Sequence, residues 1–304
     1  EKPEYERVIN MGTCKKSEYI QSIKNETEAN NAKTDKYETD NTSDRRRFTG
    51  KSVVVTGAAA GMGKAITLHF VKEGAAVVAV DLNENALNEL ISQAENIAAD
   101  TNSGGRVIPL AGDISLEEVN EAMIARAIEE TGKIDVLVNN AGIAGKSEPV
   151  TELTNESWEK IMKVDLYGPM YAIRAAVKAM LEQKNGGNIV TIASVAGIKG
   201  CRSSVAYSVA KHGLVGLCEH TAYTYMHQGI RSNIVCPGAI KTGMTSNPEK
   251  ESKFGRERIM SGMDPDFPFG DTDDIVSAVL YLASDDAKFV NGAKIVVDGG
   301  ISCN

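Results

Sequence analysis

The amino-acid sequence predicts an α/β protein with one doubly wound domain, a seven-stranded parallel sheet flanked by helices. Three observations predict this class. From Lys51 onward, short runs of β-branched residues alternate with longer stretches of helical apolar periodicity, as in successive strand-helix-strand units. A glycine-rich turn separates the first of these strands from the first helix. The 304 residues, 42% of them hydrophobic, suffice for one large core.

Seven strands are predicted from short β-branched runs between turn residues. They are Ser52–Thr56, Ala76–Asp81, Arg106–Ala111, Val136–Asn139, Asn188–Ile192, Arg231–Val235 and Ala293–Val297. Helical periodicity between them predicts helices at Met62–Glu73, Asn85–Asp100, Leu116–Thr131, Asn155–Gln183, Ala206–His227 and Asp273–Ala283. A weaker helical pattern, interrupted by glycine and proline, covers Thr242–Phe269.

The segment before the first strand differs in composition. The first 50 residues hold ten Lys or Arg and ten Asp or Glu, with little apolar periodicity, so the net charge of −8 falls on residues 51–304. We therefore predict a polar N-terminal extension at residues 1–48 and the α/β domain at residues 49–304. Two interpretations of the extension stay open: a solvated polar arm, or an arm that clasps a neighbouring subunit.

Composition argues against several classes of protein. An acidic chain with no apolar run of 18 residues is neither a typical nucleic-acid binder nor a membrane-spanning protein. No basic segment followed by an apolar stretch begins the sequence, so we expect no secretory signal. The five cysteines show neither CxxC spacing nor histidines at ligand distance, which predicts reduced thiols in the cytoplasm and no metal site.

The turn after the first strand has the residues of a phosphate-binding loop. Thr56–Gly63 reads Thr-Gly-Ala-Ala-Ala-Gly-Met-Gly and leads directly into a helix. Backbone N–H groups and the helix dipole at such a turn can receive a pyrophosphate, and glycine allows the phosphate to approach closely. The position favours a Rossmann-type dinucleotide site over a purely structural turn.

Asp81 ends the second predicted strand, 24 residues after Gly57. A carboxylate there can accept hydrogen bonds from the ribose hydroxyls and repel a 2′-phosphate. No Arg or Lys occurs from Asp81 through Glu84 to bind such a phosphate. The residue favours NAD over NADP; as the N-cap of the next helix it would leave the choice open.

A candidate catalytic set lies farther along the chain. Ser194 ends a predicted strand, and Tyr207 and Lys211 are one turn apart on the following helix, so that phenol and ammonium share a face. A phenol is a poor base near neutral pH, but a neighbouring ammonium and an oxidised nicotinamide both favour the phenolate. Ser194 could then hold the reacting oxygen.

Together these motifs resemble the short-chain dehydrogenase/reductase family over residues 49–300. The matches are Thr56–Gly63, Asp81, Asp113 in Gly-Asp-Ile-Ser, Asn139-Asn140-Ala141-Gly142, Ser194, Tyr207, Lys211, Pro237-Gly238 with Thr242, Asn291-Gly292 and Val297-Asp298-Gly299-Gly300. The resemblance implies hydride exchange between nicotinamide and a carbinol carbon, with Tyr207 as general acid and base. It also implies that Ser194 orients the substrate and that Lys211 binds the nicotinamide ribose.

The resemblance further assigns the cofactor contacts. Asp113 and Ile114 are expected to flank the adenine, and Asn139 and Gly142 to support the cofactor. The nicotinamide end is expected at Pro237, Gly238, Ile240 and Thr242. The full set of candidate cofactor-binding residues is Gly57, Ala59, Gly61, Met62, Gly63, Asp81, Leu82, Asp113, Ile114, Asn139, Gly142, Tyr207, Lys211, Pro237, Gly238, Ile240 and Thr242.

One residue departs from the family pattern. Relatives usually carry Asn in Val-Asn-Leu-x-Gly, where its backbone holds a water that links the lysine to solvent, but here the sequence reads Val164-Asp165-Leu166-Tyr167-Gly168. Asp165 is therefore a fourth catalytic candidate. Its carboxylate could stabilise the Lys211 ammonium or join the proton relay, and the effect on rate could have either sign.

The segment Gly243–Gly270 is expected to cover the substrate, as in the family. Its apolar residues are Met244, Phe254, Ile259, Met260, Met263, Phe267 and Phe269. They favour an apolar substrate. The sequence resembles bacterial hydroxysteroid dehydrogenases and 3-oxoacyl-thioester reductases, and with Asp81 favouring NAD this resemblance implies a secondary alcohol or ketone such as a hydroxysteroid or bile acid. A 3-oxoacyl-thioester reductase and a polyol dehydrogenase remain alternatives.

Apolar residues lie on more than one face of the helices predicted at Asn155–Gln183 and Ala206–His227. This surplus, with the family resemblance, predicts a homodimer or homotetramer. The alternative from another class is a non-catalytic dinucleotide-binding scaffold. It gives no reason for Ser194, Tyr207 and Lys211 to keep a working spacing.

Overall fold

The computed structural model describes residues 46–242, 251–264 and 266–303. Seven parallel strands form one sheet in the order β3-β2-β1-β4-β5-β6-β7. The strands are β1 (Ser52–Thr56), β2 (Ala76–Asp81), β3 (Arg106–Ala111), β4 (Val136–Asn139), β5 (Gly187–Ile192), β6 (Ile230–Pro237) and β7 (Lys294–Val297). The predicted doubly wound sheet is confirmed, although β6 extends two residues beyond the predicted end.

Eight α-helices are found in the described part of the chain. They are α1 (Gly61–Lys72), α2 (Glu84–Thr101), α3 (Glu117–Thr131), α4 (Asn155–Met162), α5 (Gly168–Gln183), α6 (Val205–Thr224), α7 (Lys253–Ser261) and α8 (Thr272–Ala283). The weak pattern predicted over Thr242–Phe269 corresponds to α7, and residues 243–250 and 265 lie outside the described residues. The last turn predicted for Ala206–His227 is a short 3₁₀ segment, Met226–Gln228.

The prediction of a single helix over Asn155–Gln183 is wrong. A π-helical turn, Lys163–Tyr167, separates α4 from α5. Pro169 has no N–H to donate to the carbonyl four residues earlier, and the Gly168 N–H bonds the Lys163 carbonyl, five residues back. The 3.6-residue apolar periodicity does not reveal the extra residue of this π turn, because the apolar face resumes after it.

The core fills both faces of the sheet because successive side chains of each strand point to opposite sides. Val53 and Val55 pack on one face with residues of α1, α2 and α8. Val54 packs on the other face with residues of α3, α5 and α6. The buried β-branched runs thus reflect a sheet that is covered on both sides.

The described domain begins at Arg46, three residues before the predicted boundary. Phe48 is buried, with its ring centroid 4.7 Å from that of Phe70 in an edge-to-face contact. Arg47 makes two hydrogen bonds to the Glu73 carboxylate, at 2.5 and 2.6 Å. Residues 46–48 therefore belong to the packed domain, whereas the extension preceding them lies outside the described residues.

None of the helices among the described residues combines the length and the apolar character needed to cross a membrane. Among the same residues, no three His, Cys, Asp or Glu side chains come together in an arrangement that could hold a metal ion.

Candidate active site

The candidate site lies at the carboxyl ends of β1 and β4, where the strand order reverses between the two halves of the sheet. Thr56 Oγ1, at the end of β1, accepts hydrogen bonds from the N–H groups of Asn140 at 3.0 Å and Ala141 at 3.1 Å. The Asn140 side chain donates to the carbonyls of Thr56 at 2.9 Å and Gly57 at 3.2 Å. These bonds join the glycine-rich turn to the chain that leaves β4.

The glycine-rich turn depends on the absence of side chains. Gly57 and Gly61 have φ values of +63° and +50°, in the left-handed region that favours glycine. A Cβ on Gly63 would lie 1.9 Å from the Gly57 carbonyl oxygen. The N-cap of α1, Ala60, provides no side-chain hydrogen bond, so the first N–H groups of this helix remain open toward the cleft.

The Asp81 carboxylate lies beside this turn. It accepts the Ala59 N–H at 3.0 Å and, through its other oxygen, the Asn83 N–H at 3.0 Å. The N-cap of α2 is Asn83, whose side chain accepts the Ala86 N–H at 3.1 Å. Asp81 is thus not a capping residue, and its carboxylate faces the cavity next to Gly57.

Two adjoining cavities form one cleft across the carboxyl ends of the strands. A cavity of about 260 Å³ adjoins the glycine-rich turn and Asp81, and one of about 240 Å³ adjoins Ser194, Tyr207 and Lys211. The residues common to both are Met62, Asn140, Gly142 and Thr242. An elongated cleft with an open helix N-terminus at one end fits a dinucleotide whose pyrophosphate lies on that terminus.

Most of the predicted site residues line this cleft. They are Gly57, Gly61, Met62, Asp81, Gly142, Ser194, Tyr207, Lys211, Pro237, Gly238, Ile240 and Thr242. The cleft is also lined by residues that the sequence did not predict as site residues: Ala60, Asn140, Ala141, Ile192, Ala193 and Ala239. Asn140 was the most important omission, although it belongs to the matched segment Asn139-Asn140-Ala141-Gly142.

The other candidates do not line the two cavities. Ala59 and Gly63 shape the turn, as described above, and Leu82 is exposed beside Asp81. Asn139 is buried in the sheet, and Ile114 is buried against Gly168. The Asp113 carboxylate accepts the Ser115 N–H at 2.9 Å.

The structure brings the three catalytic candidates to one cavity. Ser194 Oγ accepts the Ala196 N–H at 3.1 Å, which leaves the hydroxyl hydrogen available to another acceptor. Tyr207 and Lys211 lie on one face of α6, with Lys211 Nζ 5.3 Å from the centre of the Tyr207 ring. The ammonium also donates to the Ile192 carbonyl at 3.3 Å.

The start of α6 is fixed by its surroundings. Ser204 is the N-cap, and its hydroxyl accepts the Tyr207 N–H at 3.4 Å. A Cβ on Gly145 would lie 1.8 Å from that same hydroxyl, so the loop after β4 packs directly on the cap. Ala206 and Ala210 are buried on the side of α6 that packs against α4. This packing sets the position of Tyr207.

Asp165 lies beneath the catalytic candidates. The π turn directs its fully buried carboxylate toward Lys211, with Oδ2 3.2 Å from Nζ. Its Oδ1 accepts the Ile143 N–H at 2.9 Å. A Cβ on Gly142 would lie 2.9 Å from Oδ2 and 3.3 Å from Nζ, so glycine leaves room for this ion pair.

Burial and charge act against each other in this pair. Burial lowers the pKa of Lys211, but the attraction of the Asp165 carboxylate outweighs it, so the pKa lies above the usual value for lysine. Burial raises the pKa of Asp165, against the opposing attraction of Lys211. Lys211 therefore remains cationic at neutral pH.

Helix α7 is attached to two loops that flank the cleft. The Ser252 N–H donates to the Lys146 carbonyl at 2.9 Å, and Arg202 Nη1 donates to the Gly262 carbonyl at 2.7 Å. Gly255 is the buried residue of α7, and a Cβ there would lie 1.7 Å from the Ser147 carbonyl oxygen. Met244, an expected cover residue, lies outside the described residues.

Comparisons with known proteins agree with this geometry. The family model described as enoyl-(acyl carrier protein) reductase matches residues 57–302. The chain is 36% identical over 253 residues to a 3beta-hydroxysteroid dehydrogenase 2 of Eggerthella lenta, covering 83% of this chain and 95% of the relative. It is 35% identical over 256 residues to a 3-oxoacyl-(acyl-carrier-protein) reductase of Thermotoga maritima, covering 84% and 99%.

A solved structure gives the same result. Carveol dehydrogenase from Mycobacterium avium, crystallised in complex with NAD, superposes with a TM-score of 0.75 at 26% sequence identity, covering 85% of this chain and 99% of that one. The matched residues, the cleft and these comparisons lead to one conclusion: the chain belongs to the short-chain dehydrogenase/reductase family, as an oxidoreductase of CH–OH groups that binds a nicotinamide dinucleotide.

Proposed function

We propose that the protein is an NAD(H)-dependent enzyme that interconverts a secondary alcohol and a ketone on an apolar substrate, a hydroxysteroid or bile acid. The observation that carries the proposal is the common cavity of Ser194, Tyr207 and Lys211 at one end of the dinucleotide cleft. A scaffold protein would have no need of this arrangement.

The preference for NAD is supported by Asp81. Its carboxylate is held by two backbone N–H groups beside the glycine-rich turn, where the adenosine ribose of a dinucleotide is expected. A 2′-phosphate at that position would be repelled by the carboxylate. No lysine or arginine from residue 81 to 84 could compensate.

The chemistry follows from the positions of the three side chains. The Ser194 hydroxyl donates a hydrogen bond to the substrate oxygen, because its own oxygen already accepts the Ala196 N–H. The Tyr207 phenolate takes the hydroxyl proton during oxidation, and the phenol returns it during reduction. Lys211 holds a positive charge beside the phenol. Bound nicotinamide supplies the hydride acceptor or donor.

Two observations support an apolar substrate. Beside the cleft, the segment that includes α7 exposes the large apolar side chains Phe254, Met260 and Phe269, an arrangement suited to covering an apolar molecule. A relative at 36% identity is named a 3beta-hydroxysteroid dehydrogenase.

A second candidate function is reduction of a 3-oxoacyl thioester. It is favoured by the relative of that name at 35% identity, which this chain covers over 99% of its length. Asp81 favours a hydroxysteroid substrate over a 3-oxoacyl thioester. We expect thioester reduction to use NADPH, and the carboxylate would repel the 2′-phosphate of that cofactor.

We also propose a homo-oligomer in the cytoplasm. Phe289 is 99% exposed, and Val209 on α6 and Val296 on the edge strand β7 are each about 40% exposed. A second subunit would remove these apolar side chains from water. The described cysteines are free thiols, which is compatible with a reducing compartment.

The experiment is a substrate panel followed by absorbance of the reduced nicotinamide. Hydroxysteroids including bile acids, 3-hydroxyacyl thioesters, polyols and simple secondary alcohols are offered with NAD⁺ or NADP⁺. The proposal predicts turnover of one steroid hydroxyl with NAD⁺. Preferential turnover of a thioester with NADP⁺ would reject both the substrate and the cofactor assignments.

A further inference from the structure

The buried ion pair of Asp165 and Lys211 has a consequence for the proton-transfer step. Lys211 is 3% exposed and Asp165 is fully buried, so water screens the charges poorly. The ammonium lies 3.2 Å from the carboxylate and 5.3 Å from the centre of the Tyr207 ring. Both charges therefore act on Tyr207.

Two groups favour the ionised form of the carboxylate. The Lys211 ammonium faces Oδ2, and the Ile143 N–H donates to Oδ1 at 2.9 Å. A protonated carboxyl group would need a hydrogen-bond acceptor, and the two groups that face this one are both donors. Burial is the largest influence on the pKa of Asp165 and raises it, so the ionised form depends on the ion pair with Lys211 and on the Ile143 N–H.

We propose that Asp165 is a positioning residue that offsets the Lys211 charge beside the Tyr207 phenol and thereby moves alcohol oxidation to a more alkaline pH than an amide at this position would. This inference rests on the proposed function. It means that, compared with an amide at this position, the carboxylate favours reduction of the ketone and moves oxidation of the alcohol to a more alkaline pH.

The proton balance of the two directions is the reason. In reduction, the phenol O–H bond breaks and its proton goes to the carbonyl oxygen, while the hydride from the reduced dinucleotide goes to the carbonyl carbon. In oxidation, the phenolate accepts the hydroxyl proton as the hydride leaves the carbinol carbon. A carboxylate near the phenol favours its neutral form and therefore the first direction.

The size of the effect follows from the distances. The two separations together place the Asp165 oxygen at most about 8.5 Å from the centre of the Tyr207 ring. The phenol oxygen lies about 3 Å from that centre, so its separation from the carboxylate is at most about 11 Å, and Coulomb's law at an effective dielectric constant of about 20 gives a shift on the order of one pH unit. Below the midpoint, one unit is about a tenfold difference in the rate of oxidation.

The other titratable group facing Lys211 in the described structure does not compete in this range. Cys236 on β6 lies near the ammonium, and burial raises the pKa of its thiol to about 11. It therefore stays neutral where the enzyme is assayed. The pH response of this cluster thus belongs to Asp165, Lys211 and Tyr207.

The test replaces the charge and keeps the shape. In Asp165→Asn, the Ile192 carbonyl and the new amide oxygen can still accept hydrogen bonds from the Lys211 ammonium. Asn is also the residue that family members usually carry at this position. We expect the pH midpoint of kcat for alcohol oxidation to fall by about one unit. If this variant does not fold, Asp165→Ser removes the same charge and should shift the midpoint in the same direction.

A second measurement needs neither substrate nor cofactor. Tyrosinate absorbance of the free protein is titrated with and without Tyr207→Phe, and the difference isolates Tyr207. Asp165→Asn should move this titration to lower pH, as in the kinetic profile. If no alcohol is turned over, the proposed function fails while this titration still tests the inference.

Asp135→Asn is the matched control. That carboxylate is also paired with lysine, at 3.0 Å from Lys133, and also accepts a backbone N–H, from Ser52 at 2.8 Å, but it precedes β4 at the opposite end of the sheet. Loss of the Asp135 charge should leave the midpoints of the kinetic pH profile and of the tyrosinate titration unchanged. Unchanged midpoints in Asp165→Asn, or a shift to higher pH, would overturn the proposal.

Discussion

Gly63 is the position where the phosphate-binding turn can be tested most sharply. A Cβ there would lie 1.9 Å from the Gly57 carbonyl oxygen and 2.5 Å from Asn140 Nδ2, whereas real contacts of this kind are essentially never under 3.0 Å. The variant Gly63→Ala therefore forces α1 and the turn about 1 Å apart. Helix propensity alone would favour alanine at this position by about 1 kcal/mol.

The expected magnitude combines two effects. Forcing an extra methyl group into a packed site costs about 1–3 kcal/mol. Displacing Asn140 weakens its bonds to the Thr56 and Gly57 carbonyls, each contributing about 1 kcal/mol. We expect Gly63→Ala to lower the free energy of unfolding by about 2–4 kcal/mol. We also expect it to raise the Kd for NADH at least about tenfold, since the turn must be re-formed on binding.

The assay compares NADH titrations and denaturant unfolding of Gly63→Ala with those of Gly216→Ala. Gly216 is also a helical glycine, in α6, but a Cβ there meets nothing within 4 Å. The control should be stabilised by about 0.5–1 kcal/mol and should bind NADH normally. Wild-type NADH affinity in Gly63→Ala would refute the role given to the turn.

Three further outcomes are expected. Asp81→Asn removes the charge that would repel a 2′-phosphate, so the ratio of kcat/KM for NADP⁺ to that for NAD⁺ should rise about tenfold; an unchanged ratio would contradict the cofactor assignment. Gly255→Ala pushes α7 from the Ser147 carbonyl, 1.7 Å from the new Cβ, and should raise the KM of the substrate at least about threefold while the Kd for NADH stays constant. Burial raises the pKa of the Cys218 and Cys236 thiols to about 11, so peptide mapping after thiol alkylation at pH 8 should find both unlabelled in the folded protein.

The sheet could be predicted because its signal is local. Each buried strand is a β-branched run between turns, and parallel strands covered on both faces require such runs. The glycine-rich turn and the spacing from Tyr207 to Lys211 were equally readable, because each lies within a few consecutive residues.

The pairing of Asp165 with Lys211 could not be read in this way. The two residues are 46 positions apart, and a π turn that apolar periodicity does not reveal directs the carboxylate toward the ammonium. For the same reason the sequence alone does not predict whether Asp165 raises or lowers the reaction rate. The pairing of Asn140 with Thr56 and Gly57 likewise depends on the neighbouring positions of β1 and β4 in the sheet.

The most direct test of the central claim is the rate of NAD⁺-dependent alcohol oxidation by Tyr207→Phe. Loss of the phenol removes the general base but leaves the cleft, so kcat should fall at least about 100-fold while the Kd for NADH stays within about twofold of wild type. A variant that binds NADH normally and oxidises the alcohol at the wild-type rate would contradict the account.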